Sequence, residues 1–281
     1  MGFFAAIKRG WYMSKLSFSV VKKDPELLVY VAFSGIMSAM ALAAMAVPQV
    51  LSMEWAVDAE GASTPAGLAY YFLCYMGLSI IVVFWNSAIV ANSQMRLSGG
   101  DPTFVYGIGK AFSRIHIIIM WGVISGTVGL LLKLLRQSGR DQKNPAMAIL
   151  MMILAWLLEV AWWMTTFFVI PVMIMEGRGL RETIKNSKEL FSGTWGTNIA
   201  AGLGIDLIGF MFLVLSVLIG VGIGMVAGPA LGFGIGAILV VLTIMWVAAA
   251  NTVAISALYI FAKTGQMPSL YQEKGMATFQ F

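Results

Sequence analysis

The stretch MEGRGLRETIKNSKELFSGTWGTN, residues 175–198, decides how the rest of the chain is read. It follows one long apolar segment and leads into another. Between them Leu180, Ile184, Ser187 and Phe191 recur at spacings of four, three and four, which is one face of a helix. Arg181, Glu182, Lys185, Lys188 and Glu189 fall mostly on the opposite face. A helix divided in this way lies along a membrane surface rather than across it. Weaker versions come earlier. One has Phe4, Ile7, Trp11 and Phe18 with Lys8, Arg9 and Lys15 to the sides, and the other has Phe104, Ile108, Phe112 and Ile115 with Lys110 and Arg114 off the face.

Working outward, the composition explains what these helices rest against. Of 281 residues 59% are hydrophobic and 11% charged, against roughly 25% charged in a soluble domain. Six apolar segments, near residues 25–51, 66–95, 115–135, 145–175, 195–219 and 234–261, each reach the ~20 residues that cross a hydrocarbon core. The expected fold is all-α: a polytopic membrane helix bundle of six transmembrane helices with three cytoplasmic interfacial amphipathic helices. Little chain is left for a soluble domain, so residues 1–281 read as one integral membrane domain with a cytoplasmic tail at 264–281.

Phe-Ser recurs as Phe18-Ser19, Phe112-Ser113 and Phe191-Ser192, each time shortly before a crossing. This suggests a threefold internal repeat, with units 1–98, 102–177 and 178–263 and a period of about 80 to 90 residues. Basic amphipathic segments ahead of a crossing are common in membrane proteins, and that is the competing account. With the N-terminus inside, fourteen Lys and Arg fall on the inner side and four, Lys133, Arg136, Arg140 and Lys143, on the outer side. Basic residues accumulate on the cytoplasmic side, so both termini are expected there. The outer four read as a solvated extension of the third crossing. The opening MGFFAAIKRGW places its charges after its apolar patch, the reverse of a secretory signal, and reads as mature protein.

Several residues mark breaks and close approaches. Asp24-Pro25 ends the first interfacial helix and opens the first crossing, because proline suits a first turn and disrupts the helix before it. Pro48 is placed to kink or end that crossing. Glu54, Asp58 and Glu60 with Gly61, Ser63, Thr64 and Pro65 make a solvated loop. Gly220, Gly224, Gly228, Gly232 and Gly236 recur every fourth residue and form a helix-packing strip that Pro229 divides between two helices. Packing within the subunit and packing against a second subunit are both open. A nucleotide-binding reading fails, since that motif needs a strand, a turn and a helix in water.

At RGWYMSK, KKDPELLVY, WNSAIVANSQMRLSGGDPT, FFVIPVMIMEG and IKNSKELFSGTWG the chain resembles an uncharacterised prokaryotic six-helix integral membrane protein family, the domain of unknown function 6159. The likeness runs nearly end to end and includes Thr264-Gly265-Gln266 and Pro268. It implies six crossings and a prokaryotic cell membrane, and no activity. Asn86, Gly100, Asp101, Pro102 and the run Gly193-Thr194-Trp195-Gly196 look like the family's recurrent positions, while Asp206 stands where a small or apolar residue is expected.

Chemistry is sparse. Glu159 falls near the middle of the fourth crossing, about 24 Å from its inner end at 1.5 Å per residue, with Trp156, Trp163 and Thr166 on its face and Trp162 adjacent. A carboxylate at that depth is neutral, paired or facing water, which leaves an ion- or proton-handling site and a hydrogen bond to a neighbouring helix as readings. Asp206, Asn86 and Asn251 come to a similar depth on three other crossings. Together they are either a solute site or glue between helices worth about 0.6 to 2 kcal/mol per hydrogen bond.

His116, the one histidine, and Cys74, the one cysteine, build no zinc or haem site and no disulfide, so no metal and no cofactor is expected, although a carboxylate metal site stays open. Trp11, Trp55 and Trp195 suit the membrane boundary. Lys8, Arg9, Lys15, Lys110, Arg114, Arg181, Lys185 and Lys188 suit anionic lipid headgroups and not nucleic acid. The expectation is a non-enzymatic scaffold or accessory subunit of a membrane complex, as a homo-oligomer or with other proteins. The alternative is a channel or transporter for an ion or small solute routed past Glu159.

Overall fold

The computed structural model describes residues 3–56 and 64–272, with 3–9 and 195–204 described by their backbone alone. Among the described residues there are helices and no strands. They are α1 (Phe3–Lys23), α2 (Glu26–Val50), α3 (Pro65–Leu97), α4 (Phe104–Ser113), α5 (Ile115–Arg140), α6 (Pro145–Thr166), α7 (Val169–Glu176), α8 (Leu180–Ala227), α9 (Pro229–Thr264) and α10 (Ser269–Tyr271). Six stretches are long and apolar enough to cross a membrane: α2, α3, α5, α6 with α7, the part of α8 from Ile205, and α9. The protein is an all-α polytopic helix bundle.

Local chemistry sets the breaks. Pro25 has no N–H to continue α1 and sits in the turn that opens α2, where Leu28 N–H reaches the Pro25 carbonyl at 3.0 Å. Pro48 does not stop α2, which runs two residues further and ends with Ser52 at φ 47°. Arg114 leaves the helical region, at φ −117° and ψ 15°, and so separates α4 from α5. Between α6 and α7 the chain breaks at Phe167 and Phe168. Pro171 lies four residues beyond Phe167, where its ring displaces the Phe167 carbonyl and its missing N–H leaves that carbonyl without its helical donor.

The third surface helix differs from the expectation of three separate interfacial helices. Leu180 to Ala227 is one helix of 48 residues, so the amphipathic stretch and the fifth crossing are continuous. No proline stands between them, and Gly193 and Gly196 weaken a helix without ending it.

Contacts group into two compact units, described separately. The first holds the chain up to Ala32, Ala88–Gly109 and everything from Glu189 on. Its core sets Met13, Leu16 and Val20 of α1 with Leu27 and Tyr30 of α2, Ile89 of α3, and Val253 and Leu258 of α9, all buried. Here α8 and α9 form a hairpin on small residues. Gly228, at φ 98°, makes the turn and Pro229 starts α9. A Cβ on Gly220 would stand 2.8 Å from the Gly236 Cα, and one on Gly232 would run into the Gly224 backbone. The glycine strip is therefore occupied inside the chain.

The second unit holds Phe33–Ser87 and Lys110–Lys188. Its centre is the hairpin of α5 and α6, where Trp121 and Trp162 stack at 5.5 Å and 14°. The Asn144 side chain accepts the Ala146 N–H at 3.0 Å and caps α6. Ser79 and Ser125 share a hydrogen bond of 2.9 Å between α3 and α5.

Candidate functional site

The second unit pairs Glu159 of α6 with Arg136 of α5, whose Nη2 meets the carboxylate Oε1 as an ion pair without hydrogen-bond alignment. Arg136 stands four residues before the end of α5 and Glu159 fourteen after the start of α6, about 6 Å and 21 Å from the loop that joins them at 1.5 Å per residue. The arginine side chain therefore runs along the hairpin away from the loop to set its head on the acid. The pair is not enclosed: the side chains keep 54% and 29% of their exposure.

A second polar feature repairs the break between α6 and α7. Ser187 of α8 is fully buried; its hydroxyl donates to the Thr165 carbonyl at 2.8 Å and accepts the Phe168 N–H at 3.0 Å. One side chain replaces backbone partners that the proline-induced break removes, as buried backbone groups require. Beside it Glu176 accepts from Asn186 at 3.0 Å and pairs with Arg178 at 3.2 Å. Arg114 donates to the carbonyl of Gly177, the left-handed C-cap of α7, at 3.3 Å.

The first unit has its own latch. Asp24, 3% exposed at the proline turn, is gripped through both carboxylate oxygens by Arg96, which also holds Asp101. A guanidinium in a two-toothed grip fixes orientation as well as charge. Tyr30 donates to the Phe104 carbonyl at 2.7 Å and stacks on the Phe104 ring at 4.8 Å. Gln94 donates to the Ser256 carbonyl at 2.9 Å. Ser17 and Tyr271 share a hydrogen bond of 2.9 Å, and burial pushes the Tyr271 phenol well above its ordinary range, so it stays neutral.

The family of unknown function DUF6159 matches residues 65–269. The chain belongs to that family. No curated protein matches it. Within the DUF6159 match lie Arg96, Asp101, Arg136, Glu159 and Ser187, whereas α1, Asp24 and Tyr30 precede it. DUF6159 members carry no assigned activity in that description, so the residue roles here come from geometry alone.

The remaining sequence-chosen residues of this DUF6159 protein fall in both units. Asn86 is half-buried in the second unit. Asp206 and Asn251, both in the first, are exposed, and no hydrogen bond joins them among the described residues. His116 is exposed in the first turn of α5 and Cys74 is half-buried in α3. No three His, Cys, Asp or Glu side chains gather as a metal site among the described residues. Lys15, Lys110, Arg181, Lys185 and Lys188 are exposed, and Arg114 is half-buried on Gly177. The side chains of Phe4, Ile7, Lys8, Arg9, Trp195 and Gly196 lie outside the described residues, as do Asp58, Glu60, Gly61, Ser63 and the tail beyond Gln272.

Sequence reasoning singles out Glu159 and places Arg136 on a solvated extension of the third crossing, which α5 supplies, without pairing the two. It also took Ser187 for a small residue on an apolar face. Pro171, four residues after Phe167, was the signal that a broken turn there would need an outside donor and acceptor.

Proposed function

We propose that the protein is a non-enzymatic scaffold or accessory subunit of a membrane complex, held in a prokaryotic cell membrane with its basic side and both termini cytoplasmic. One observation carries this reading. Of the 22 residues of α6 only Ala155 is buried, yet the same helix carries Glu159 with a half-exposed arginine upon it. Ionisable groups at span depth ordinarily face protein or a water-filled cavity. A helix that is bare on nearly every side and charged near its middle is therefore suited to another protein as neighbour. Trp156, 61% exposed, and Leu157 continue the uncovered surface.

The channel or transporter reading is favoured by the interrupted helix at Phe167 and Phe168, since broken spans line solute sites in transporters. Here Ser187 bonds two of the backbone groups at the break, the Phe168 N–H and the Thr165 carbonyl, which favours a structural use of the interruption. The subunit reading rests on the bare, charged face of α6.

The test is gentle extraction from the native membrane followed by measurement of particle mass and composition. The expected result is a second protein in fixed stoichiometry, released by Glu159→Gln while the chain stays helical. A particle of this chain alone would overturn the accessory reading in favour of a homo-oligomer. Proton flux in liposomes that Glu159→Gln abolishes would then establish transport.

A further inference from the structure

Two apolar cavities in the first unit, of about 700 Å³ and 430 Å³, share Phe18, Phe212, Leu215 and Trp246 and so form one groove between α1, α8 and α9. Both volumes fall within the ~300–1,000 Å³ of ordinary ligand sites. Along α8 the larger cavity reaches from Ile208 to Leu218, about 15 Å at 1.5 Å per residue. That is most of the depth of one bilayer leaflet. Phe18 stands between the halves, its ring 6.4 Å from Phe212 and 6.3 Å from Trp246. The single hydroxyl pair in the smaller half, Ser216 with Thr243, is already mutually hydrogen-bonded at 3.0 Å.

The mouth has a different character. Trp11, Lys15 and Phe18 follow one another at four and three residues on α1, so one stripe of that amphipathic helix carries an aromatic ring, an ammonium and a second ring into the groove. Lys15 is exposed and in no ion pair among the described residues, and no acidic side chain lines either cavity. Tryptophan and lysine together mark the headgroup level of a membrane, and a lysine there attracts phosphate.

We infer that this groove is a binding site for one membrane phospholipid with an anionic headgroup, its phosphate against Lys15 and an acyl chain along α8 past Phe212 and Leu215. The inference rests on α1 lying at the membrane surface and is independent of whether α6 meets a partner. An apolar chain in a preformed apolar groove gains packing with protein, and the ammonium supplies the preference for negative charge.

The purified protein is reconstituted into vesicles of equal phosphatidylglycerol and phosphatidylcholine, withdrawn in mild detergent, and its retained lipids are counted by native mass spectrometry. The expected result is retained phosphatidylglycerol in about fivefold excess, the weight of one basic residue facing an anionic headgroup. Lys15→Glu, at an exposed position, should return the ratio to that of the vesicle, and Leu215→Trp should lower the number of lipids retained. Lipids held in the bulk ratio by the unaltered protein, or an excess that survives Lys15→Glu, would overturn the assignment. Because the lipid count is read on the isolated chain, its failure leaves the composition of the native complex untouched. Absence of a partner protein likewise leaves the lipid count standing.

Discussion

Ser187 does for the break between α6 and α7 what backbone does elsewhere, and its removal takes the partner from the buried Phe168 N–H and from the carbonyl of half-buried Thr165 together. Ser187→Ala should cost about 1–3 kcal/mol, the range for leaving buried hydrogen-bonding groups unsatisfied. The check is the thermal midpoint of the purified protein in detergent. Ser192→Ala is the control. Its exposed hydroxyl donates back to the Glu189 carbonyl three residues earlier, at 3.2 Å, and changes at exposed positions stay within about 0.5 kcal/mol. Equal losses in the two variants would mean that the break is held by apolar packing around Phe168 instead. The same reasoning explains why Arg96 matters to Asp24: a carboxylate 3% exposed is tolerable because both oxygens are paired.

At the scale of elements, the α8–α9 hairpin turns on where a side chain can fit. Gly232→Ala would put a methyl into the Gly224 backbone, and forcing the helices apart should cost about 1–3 kcal/mol. Gly234→Ala has nothing within 4 Å and should be neutral or stabilising by up to about 1 kcal/mol, since alanine is the better helix former. Thermal midpoints of the two variants measure the difference. A matching loss in Gly234→Ala would show that both glycine faces are packed. Gly232→Ala that merely changed the oligomer, with no loss of stability, would move the strip to a subunit contact.

The hairpin also shows what was legible in the sequence. A four-residue glycine period and one proline identify both helices and their turn, because local backbone chemistry dictates them. Arg136 was not legible as the partner of Glu159, because their meeting depends on the register of two antiparallel helices and on an arginine stem turning away from its loop. Neither is encoded at any fixed spacing. The continuity of α8 through Gly193 and Gly196 was missed for a related reason: glycine lowers helix stability by a margin that surrounding structure overrides. Hydropathy located the six crossings without such help, since the bilayer requires an uninterrupted apolar length and satisfied backbone.

At the scale of the whole molecule, the asymmetry of charge predicts an orientation that can be tested directly. With the N-terminus inside, fourteen of the 18 lysines and arginines are expected on the inner side and four on the outer side. The minority group sits at the α5–α6 turn, and Arg136, one of the four, is drawn along the hairpin onto Glu159, leaving Lys133, Arg140 and Lys143 near the loop. Retention of Lys and Arg in the cytoplasm acts on short loops near helix ends, so the larger group should prevail. In a Cys74→Ala background, Lys143→Cys should react with a membrane-impermeant maleimide added to intact cells. Lys185→Cys, on the charged face of α8 and exposed, should react only after the membrane is opened. Cys74 is half-buried in α3 and alone in the chain, so its removal clears the background at little structural cost. Labelling of Lys185→Cys in intact cells, with Lys143→Cys protected, would place the basic side outside. The headgroups that Lys15 and the surface helices face would then belong to the outer leaflet.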